Sequence, residues 1–442
     1  MVNGLSARRM RRDVEALFSP PRPSGGPDLV GAEIELIPVT EGPNPGAVRL
    51  FESVNGAPSL VHLLRDWERS SGEVREERRG PRDVRFRTSS GGWITFEPGG
   101  QLEFSSAPRE TPAAVLADVV ATLDPLCEAA HARGVRLVSR GLNPWHDLED
   151  VPLQLESPRY RAMDAYLRRR GPSGARMMRL TAAMQINLDL GSPEQRTRRW
   201  RAANLLSPVI RASFANSRMQ LERGSESVSG RTVLWGRTDP SRTGVLLSTG
   251  PAADWSPSRD YLDFALAAHV MFRRDDRGDA IAASSELPFG EWWSGSGEAA
   301  PDQVDWESHL STLFPDVRPR GWFELRAIDV PRRPWWAVPL TVLPALLFDD
   351  EALSRTLEIL EPLAPRVAEL ANRAGFDGLR VKGVGEAAER VFLEALDAAH
   401  RAPPGHFTPG MLATTEEFFR RYISARRTQA DDEETESTRS GA

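Results

Sequence analysis

Acidic and amide side chains recur in this 442-residue chain at spacings that extended backbone puts to chemical use. Glu33 and Glu35 alternate with Ala32, Ile34 and Leu36 in "GAEIEL". Glu97 and Glu103 stand on the two arms of "WITFEPGGQLEF", whose Ile94, Phe96, Leu102 and Phe104 take the opposite side. Gln185, Asn187 and Asp189 alternate with Met184, Ile186 and Leu188, and Glu324 precedes Arg326 by two positions. Each run reads as a strand with one apolar and one polar face. For any one strand a solvated sheet face accounts for the pattern. Together they depart from it, because carboxylates dominate and like charges facing each other on paired strands destabilise a sheet. A cation would offset them, and oxygen-rich ligand sets suit Mg²⁺ or Mn²⁺. Magnesium commonly shares its coordination with phosphates, so the polar face is a candidate metal floor for a nucleotide.

The elements that must position these residues are legible in outline. "DLVGAEIELIPV", "AAMQINLDLG" and "GWFELRAIDV" read as strands, and the Pro-Gly-Gly stretch as the turn of a hairpin. Thr111 caps a helix that begins at Pro112 and stops at Gly134, and a long helical pattern runs from about Pro193 to Asn216. From Trp335 to about Arg426 the pattern is mostly helical. The segment "SGRTVLWGRTDPSRTGV" reads as an Arg/Gly-rich loop. Its arginines are either solvated or forks for a carboxylate or phosphate. With no internal repeat and no linker, residues 29–426 form one α+β unit. A partly flexible lead-in (1–28) precedes it and a charged, disordered tail (427–442) follows.

Several chemistries are excluded or disfavoured. A net charge of −6 gives no electrostatic case for nucleic acid. Cys127 is the only cysteine, so neither an intrachain disulfide nor a cysteine zinc cluster can form. The single lysine, Lys382, sits in "RVKGVG", which is no phosphate-binding P-loop. No histidine pair has metal-binding spacing, and no glycine run has the dinucleotide-binding pattern. There is neither a secretory leader pattern nor an apolar run of about 20 residues, so a cytoplasmic protein off the membrane is expected.

Taken in order, "GAEIEL", "FEPGGQLEFSSAP", "MMRLTAAMQINLDL", "FANS", "RTVLWGRTDPSRTG", "WESHLSTLFPDVR" and "FELRAID" resemble the plant-type glutamate–cysteine ligases. Bacterial relatives in that family include the ligase that opens ergothioneine biosynthesis. The resemblance spans about Gly31 to Asp350. It implies a glutamine-synthetase-like fold, a curved antiparallel sheet whose polar concave face holds two or three Mg²⁺ and ATP. It also implies phosphorylation of the γ-carboxylate of L-glutamate and attack by L-cysteine, in a monomer or homodimer. Carried over by position, Glu33, Glu35, Glu97, Glu103, Gln185 and Glu324 resemble metal ligands, with Glu97, Glu324 and Arg326 catalytic. Arg326 and Asn187 resemble nucleotide contacts. Arg231, Thr181, Met178, Trp235 and Arg242 resemble the substrate pocket. The Arg/Gly-rich 224–244 segment is the candidate for any loop that closes over the acyl phosphate to exclude water. Arg179 has no counterpart, and the regulatory cysteines of the plant enzymes are missing.

Overall fold

The alternating segments come together as an antiparallel sheet of nine strands in the computed structural model. It describes residues 5–20, 26–54, 56–80, 82–221, 224–247, 256–295 and 300–432. The strands are β1 (Val30–Thr40), β2 (Val74–Gly80), β3 (Asp83–Thr88), β4 (Trp93–Phe96), β5 (Leu102–Ser105), β6 (Val135–Val138), β7 (Ala183–Asp189), β8 (Val317–Pro319) and β9 (Trp322–Asp329). Their order is β8-β9-β7-β1-β5-β4-β3-β2, with β6 paired to the far half of β1. Register is what puts the carboxylates together. Glu35 lies opposite Glu103 across β1 and β5, while Glu33 lies opposite Gln185 across β1 and β7. Asn187 in turn faces Glu324 across β7 and β9. A one-residue slip would send every glutamate into the core.

On the other face Ile34, Leu36, Ile94, Leu102, Phe104, Met184 and Ile186 are fully buried in an apolar cluster that runs from Leu5 to Ile423. Helices α3 (Pro112–His131) and α6 (Pro193–Ser213) and the Ala337–Phe348 helix join that cluster and pack on the sheet. A second apolar cluster includes Met163, Leu167, Met177, Met178 and Leu234. It is supplied by α4 (Pro158–Arg169), α5 (Pro172–Leu180) and α7 (Gly230–Thr238). The polar face of the sheet therefore looks toward helices instead of bulk water.

The β4–β5 hairpin is tightly defined. The Glu97 carbonyl accepts from the Gly100 N–H at 2.8 Å, and the Glu97 N–H donates to the Gln101 carbonyl at 2.9 Å. Gly100 has φ +88°, a left-handed conformation in which a Cβ is strained. Gly99 is excluded from substitution by space instead, since a Cβ there would stand 2.1 Å from the Arg179 carbonyl oxygen. Gln154 donates to the Gly99 carbonyl at 2.6 Å, and Gln101 to the Thr181 carbonyl at 2.7 Å. The turn is thus seated on the end of α5.

Three expectations need correction. The Arg/Gly-rich segment is not a loop through its length: residues 230–238 form α7, capped by Ser229, whose Oγ accepts from the Thr232 N–H at 3.1 Å. Val233 and Leu234 anchor it in the interior, so 224–244 is no free flap. The lead-in contains α1 (Ala7–Leu17), whose arginine-rich sequence hides an apolar stripe of Met10 and Val14. Residues 427–432 do not belong to a disordered tail: Thr428, Gln429 and Ala430 are fully buried, and Gln429 accepts from the Arg332 N–H at 2.8 Å. Residues 433–442 lie outside the described residues. No described helix is long and apolar enough to cross a membrane.

Candidate active site

A cavity of about 770 Å³ lies on the polar face, and Glu33, Glu35, Glu97, Glu103 and Gln185 form its floor. One carboxylate oxygen from each of Glu35, Glu97 and Glu103 lies within 4.8 Å of the others. That spacing lets a single small cation touch all three, and the all-oxygen donor set fits Mg²⁺ or Mn²⁺. The Glu97 carboxylate accepts no hydrogen bond from any described residue, so its lone pairs are free for such an ion. Glu103 is oriented by the Thr95 hydroxyl at 2.8 Å, and Glu35 by the Ala183 N–H at 2.7 Å. Glu33 takes 3.0 Å from the Asn187 amide.

Burial and mutual repulsion are visible in the acidities. Burial pushes the Glu33 carboxyl up to about 8, with Glu103 and Glu324 adding to the shift. It pushes Glu103 up to about 6, with Glu35 adding, and Glu97 well above the usual carboxylate range. The folded metal-free protein therefore holds protons that the unfolded chain has released above the ordinary value of 4.5. Stability is fully present below that pH and is lost as pH rises through about 6 and about 8. In EDTA, Tm is expected to fall between pH 5 and 8, and Mg²⁺ or Mn²⁺ to restore it far more at pH 8 than at pH 5. A Tm profile that is flat, or unchanged by metal, would remove the cation from this cluster.

Arginines occupy another part of the cavity. Arg326 donates to Gln185 at 2.6 Å and to Glu324 at 2.9 Å. Glu324 also accepts from Arg318 at 2.6 Å and Arg320 at 3.4 Å. Burial alone would raise the Glu324 carboxyl, yet Arg326 and Arg318 outweigh it and hold it down at about 2. The register of β9 on β7 shifts by a bulge between Leu325 and Ile328. The bulge frees the Arg326 carbonyl, which accepts from Arg231 at 2.8 Å. Behind Arg231 stands Asp329, buried, 3.8 Å from its guanidinium and held by the Ser229 hydroxyl at 3.1 Å. Thr181, Met178 and Trp235 line the cavity near this arginine's helix.

Other expected roles do not survive the geometry. Arg242 is fully buried away from the cavity, bonded to Asp239 at 2.8 Å and to the Thr312 carbonyl at 2.8 Å. Its guanidinium holds the fold and has no capacity left for substrate. Asn187 does not line the cavity either, because Glu33 and the Trp322 indole take both ends of its amide. It positions a glutamate instead of touching a nucleotide. Glu324 lies outside the three-carboxylate cluster, and in this arrangement its oxygens accept from Arg318, Arg320 and Arg326. Arg179 is structural, paired with Asp164 at 2.8 Å. The sequence reading missed Arg318, Arg320, Tyr160 and Tyr261, which all line the cavity. Arg318 closes the quoted motif "WESHLSTLFPDVR" and Arg320 falls between it and "FELRAID"; the opposition of Arg318 to Glu324 becomes apparent only once β8 pairs with β9.

The model of glutamate–cysteine ligase family 2 matches residues 60–424. Glutamate–cysteine ligase EgtA of Mycolicibacterium smegmatis is 32% identical over 350 residues, covering 77% of this chain and 77% of that one. EgtA of Mycobacterium tuberculosis is 35% identical over 325 residues, covering 70% and 73%. The chloroplastic glutamate–cysteine ligase of Arabidopsis thaliana is 32% identical over 296 residues, covering 65% of this chain and 55% of its own. The crystal structure of a Francisella tularensis glutamate–cysteine ligase in complex with AMP shares the fold. Its TM-score is 0.52 at 12% identity, over 92% of this chain and 84% of that one.

Proposed function

From a chain that belongs to glutamate–cysteine ligase family 2, we infer an ATP-dependent ligase that joins the γ-carboxylate of L-glutamate to the amino group of L-cysteine. The observation that carries this reading is a carboxylate cluster and a set of arginines facing one cavity. The glutamate γ-carboxylate attacks the terminal phosphorus of ATP and ADP leaves. The cysteine amine then attacks the acyl carbon and phosphate leaves, giving γ-glutamylcysteine. Glu35, Glu97 and Glu103 would hold Mg²⁺, with Glu33 and Gln185 beside them, and the ion would supply positive charge to the phosphates.

The remaining work falls to side chains of the chain itself. Arg326, with Arg318 and Arg320, supplies preorganised positive charge where the phosphoryl group is transferred. Arg231 is fixed by Asp329 and by the Arg326 carbonyl, and its fork takes the α-carboxylate of glutamate. Met178, Thr181 and Trp235 wall the glutamate against water. No side chain needs to form a covalent bond with substrate. The amine is read as cysteine because similar proteins carry that substrate in their names. A carboxylate–amine ligase using another amine would need the same floor and the same arginines. ADP release by the purified protein with Mg-ATP, L-glutamate and a panel of amines separates the readings. Release that depends on glutamate and cysteine together, with γ-glutamylcysteine found by mass spectrometry, is the expected result. Release with a different amine would move the substrate assignment, and no release with any amine would overturn ligation.

A further inference from the structure

Tyr261 belongs to α8 (Pro257–Ala267) and is 1% exposed. Its ring is fixed by edge contacts with Phe18 at 6.1 Å and Trp200 at 6.5 Å, and by Phe264 at 6.0 Å. The residue nevertheless lines the main cavity together with Arg318, Arg320 and Arg326. Its hydroxyl makes no hydrogen bond with any described residue. A buried tyrosine ordinarily finds a partner for its O–H, because a hydroxyl withdrawn from water without one forfeits its hydration. Here aromatic rings hold the body of the side chain, and the small remaining exposure opens on the cavity. We propose that Tyr261 is a nucleotide-binding residue whose hydroxyl donates a hydrogen bond to a phosphate oxygen of the bound nucleotide, beside Arg318 and Arg320.

Charge selects the partner. A group drawn to a neighbourhood of three guanidinium ions is an anion, and an anionic oxygen is the acceptor that the phenol lacks. Burial keeps the proton on the phenol by pushing its pKa above the ordinary value, against the pull of Arg318, so the group is a donor throughout the neutral range. The assignment rests on the reading that this part of the cavity takes the phosphates of ATP. It also gives the amino-terminal segment a stake in the site, since Phe18 follows α1 and braces the ring.

Tyr261→Phe removes one oxygen and nothing that the folded chain uses. Isothermal titration of the full-length protein with Mg-ADP is expected to give an affinity roughly tenfold weaker than wild type, the size of one hydrogen bond to a charged group. The unliganded Tm should stay the same or rise. Equal affinity in both proteins would overturn the role of Tyr261 and leave the nucleotide reading standing. A weakened affinity accompanied by a lower unliganded Tm would assign the hydroxyl to the fold and overturn the proposal. Absence of Mg-ADP binding in the wild type would overturn the nucleotide reading, and this proposal with it.

Discussion

Glu97→Gln should abolish ADP release while making the metal-free protein more stable at pH 8. The two effects share one cause. The Glu97 carboxylate faces Glu35 and Glu103 within 4.8 Å and receives no hydrogen bond from any described residue, so its charge is useful only to a cation. Burial, then repulsion by Glu103 and Glu35, raises its pKa well above the usual carboxylate range. A neutral amide of the same shape removes that repulsion, so Tm in EDTA should rise at pH 8. The gain should shrink toward pH 5, close to the ordinary carboxylate value, where the unfolded chain also begins to hold the proton. With the negative charge gone, the site loses a ligand for Mg²⁺, and turnover should fall by about 10²-fold or more. A coupled ADP assay and a thermal melt in EDTA read the two signs separately. Near-normal activity would remove Glu97 from the site. A lower Tm at pH 8 would mean that the carboxylate is held by something other than a missing cation.

Arg326→Ala should also stop turnover, by about 10²- to 10³-fold, but with the opposite sign in stability. Arg326 touches both Gln185 and Glu324, whereas Glu324 keeps Arg318 at 2.6 Å after the change. The fold should therefore persist with a modest drop in Tm, and the loss should fall on kcat more than on the KM for glutamate. Arg326→Lys should recover little, because an ammonium lacks the planar fork that meets a phosphate bidentately. A kcat within a fewfold of wild type for Arg326→Ala would assign phosphoryl transfer to Arg318 and Arg320 instead.

The sheet was readable because its period is short. Ile34, Ile186 and Phe104 alternate with polar residues over stretches long enough to fix which face each carboxylate takes. The strands β2 and β3 escaped because arginine and glutamate crowd both of their faces, leaving Val74, Val84 and Phe86 as a thin apolar signal. The carboxylate cluster was likewise accessible, since alternation and one turn place Glu97 and Glu103 on a common side. Guanidinium groups were harder. Arg231, Arg242 and Arg179 look alike in the sequence, and only tertiary contacts separate a cavity arginine from two that brace the fold. Arg242 closes on Asp239 three residues away, a pairing that resembles a loop contact until Thr312 and His269 are seen to complete it. Tyr261 carries no motif at all; what marks it is a partner that its hydroxyl lacks.

The seating of the hairpin has a mechanical meaning. Gly99 lies so close to the Arg179 carbonyl that not even a methyl group fits between them, and Gln101 is bonded to Thr181 in the next turn of chain. The helix ending there also carries Met177 and Met178 into the cavity. There is consequently no play between the wall that grips the substrate and the glutamate that would grip the ion. A displacement of one is transmitted to the other as through a rigid coupling, with no hinge required. An attempt to widen the pocket for a bulkier substrate by shifting this helix would detune the cation cluster in the same stroke. Reshaping specificity should begin at Trp235 or Phe314, which line the cavity from other elements.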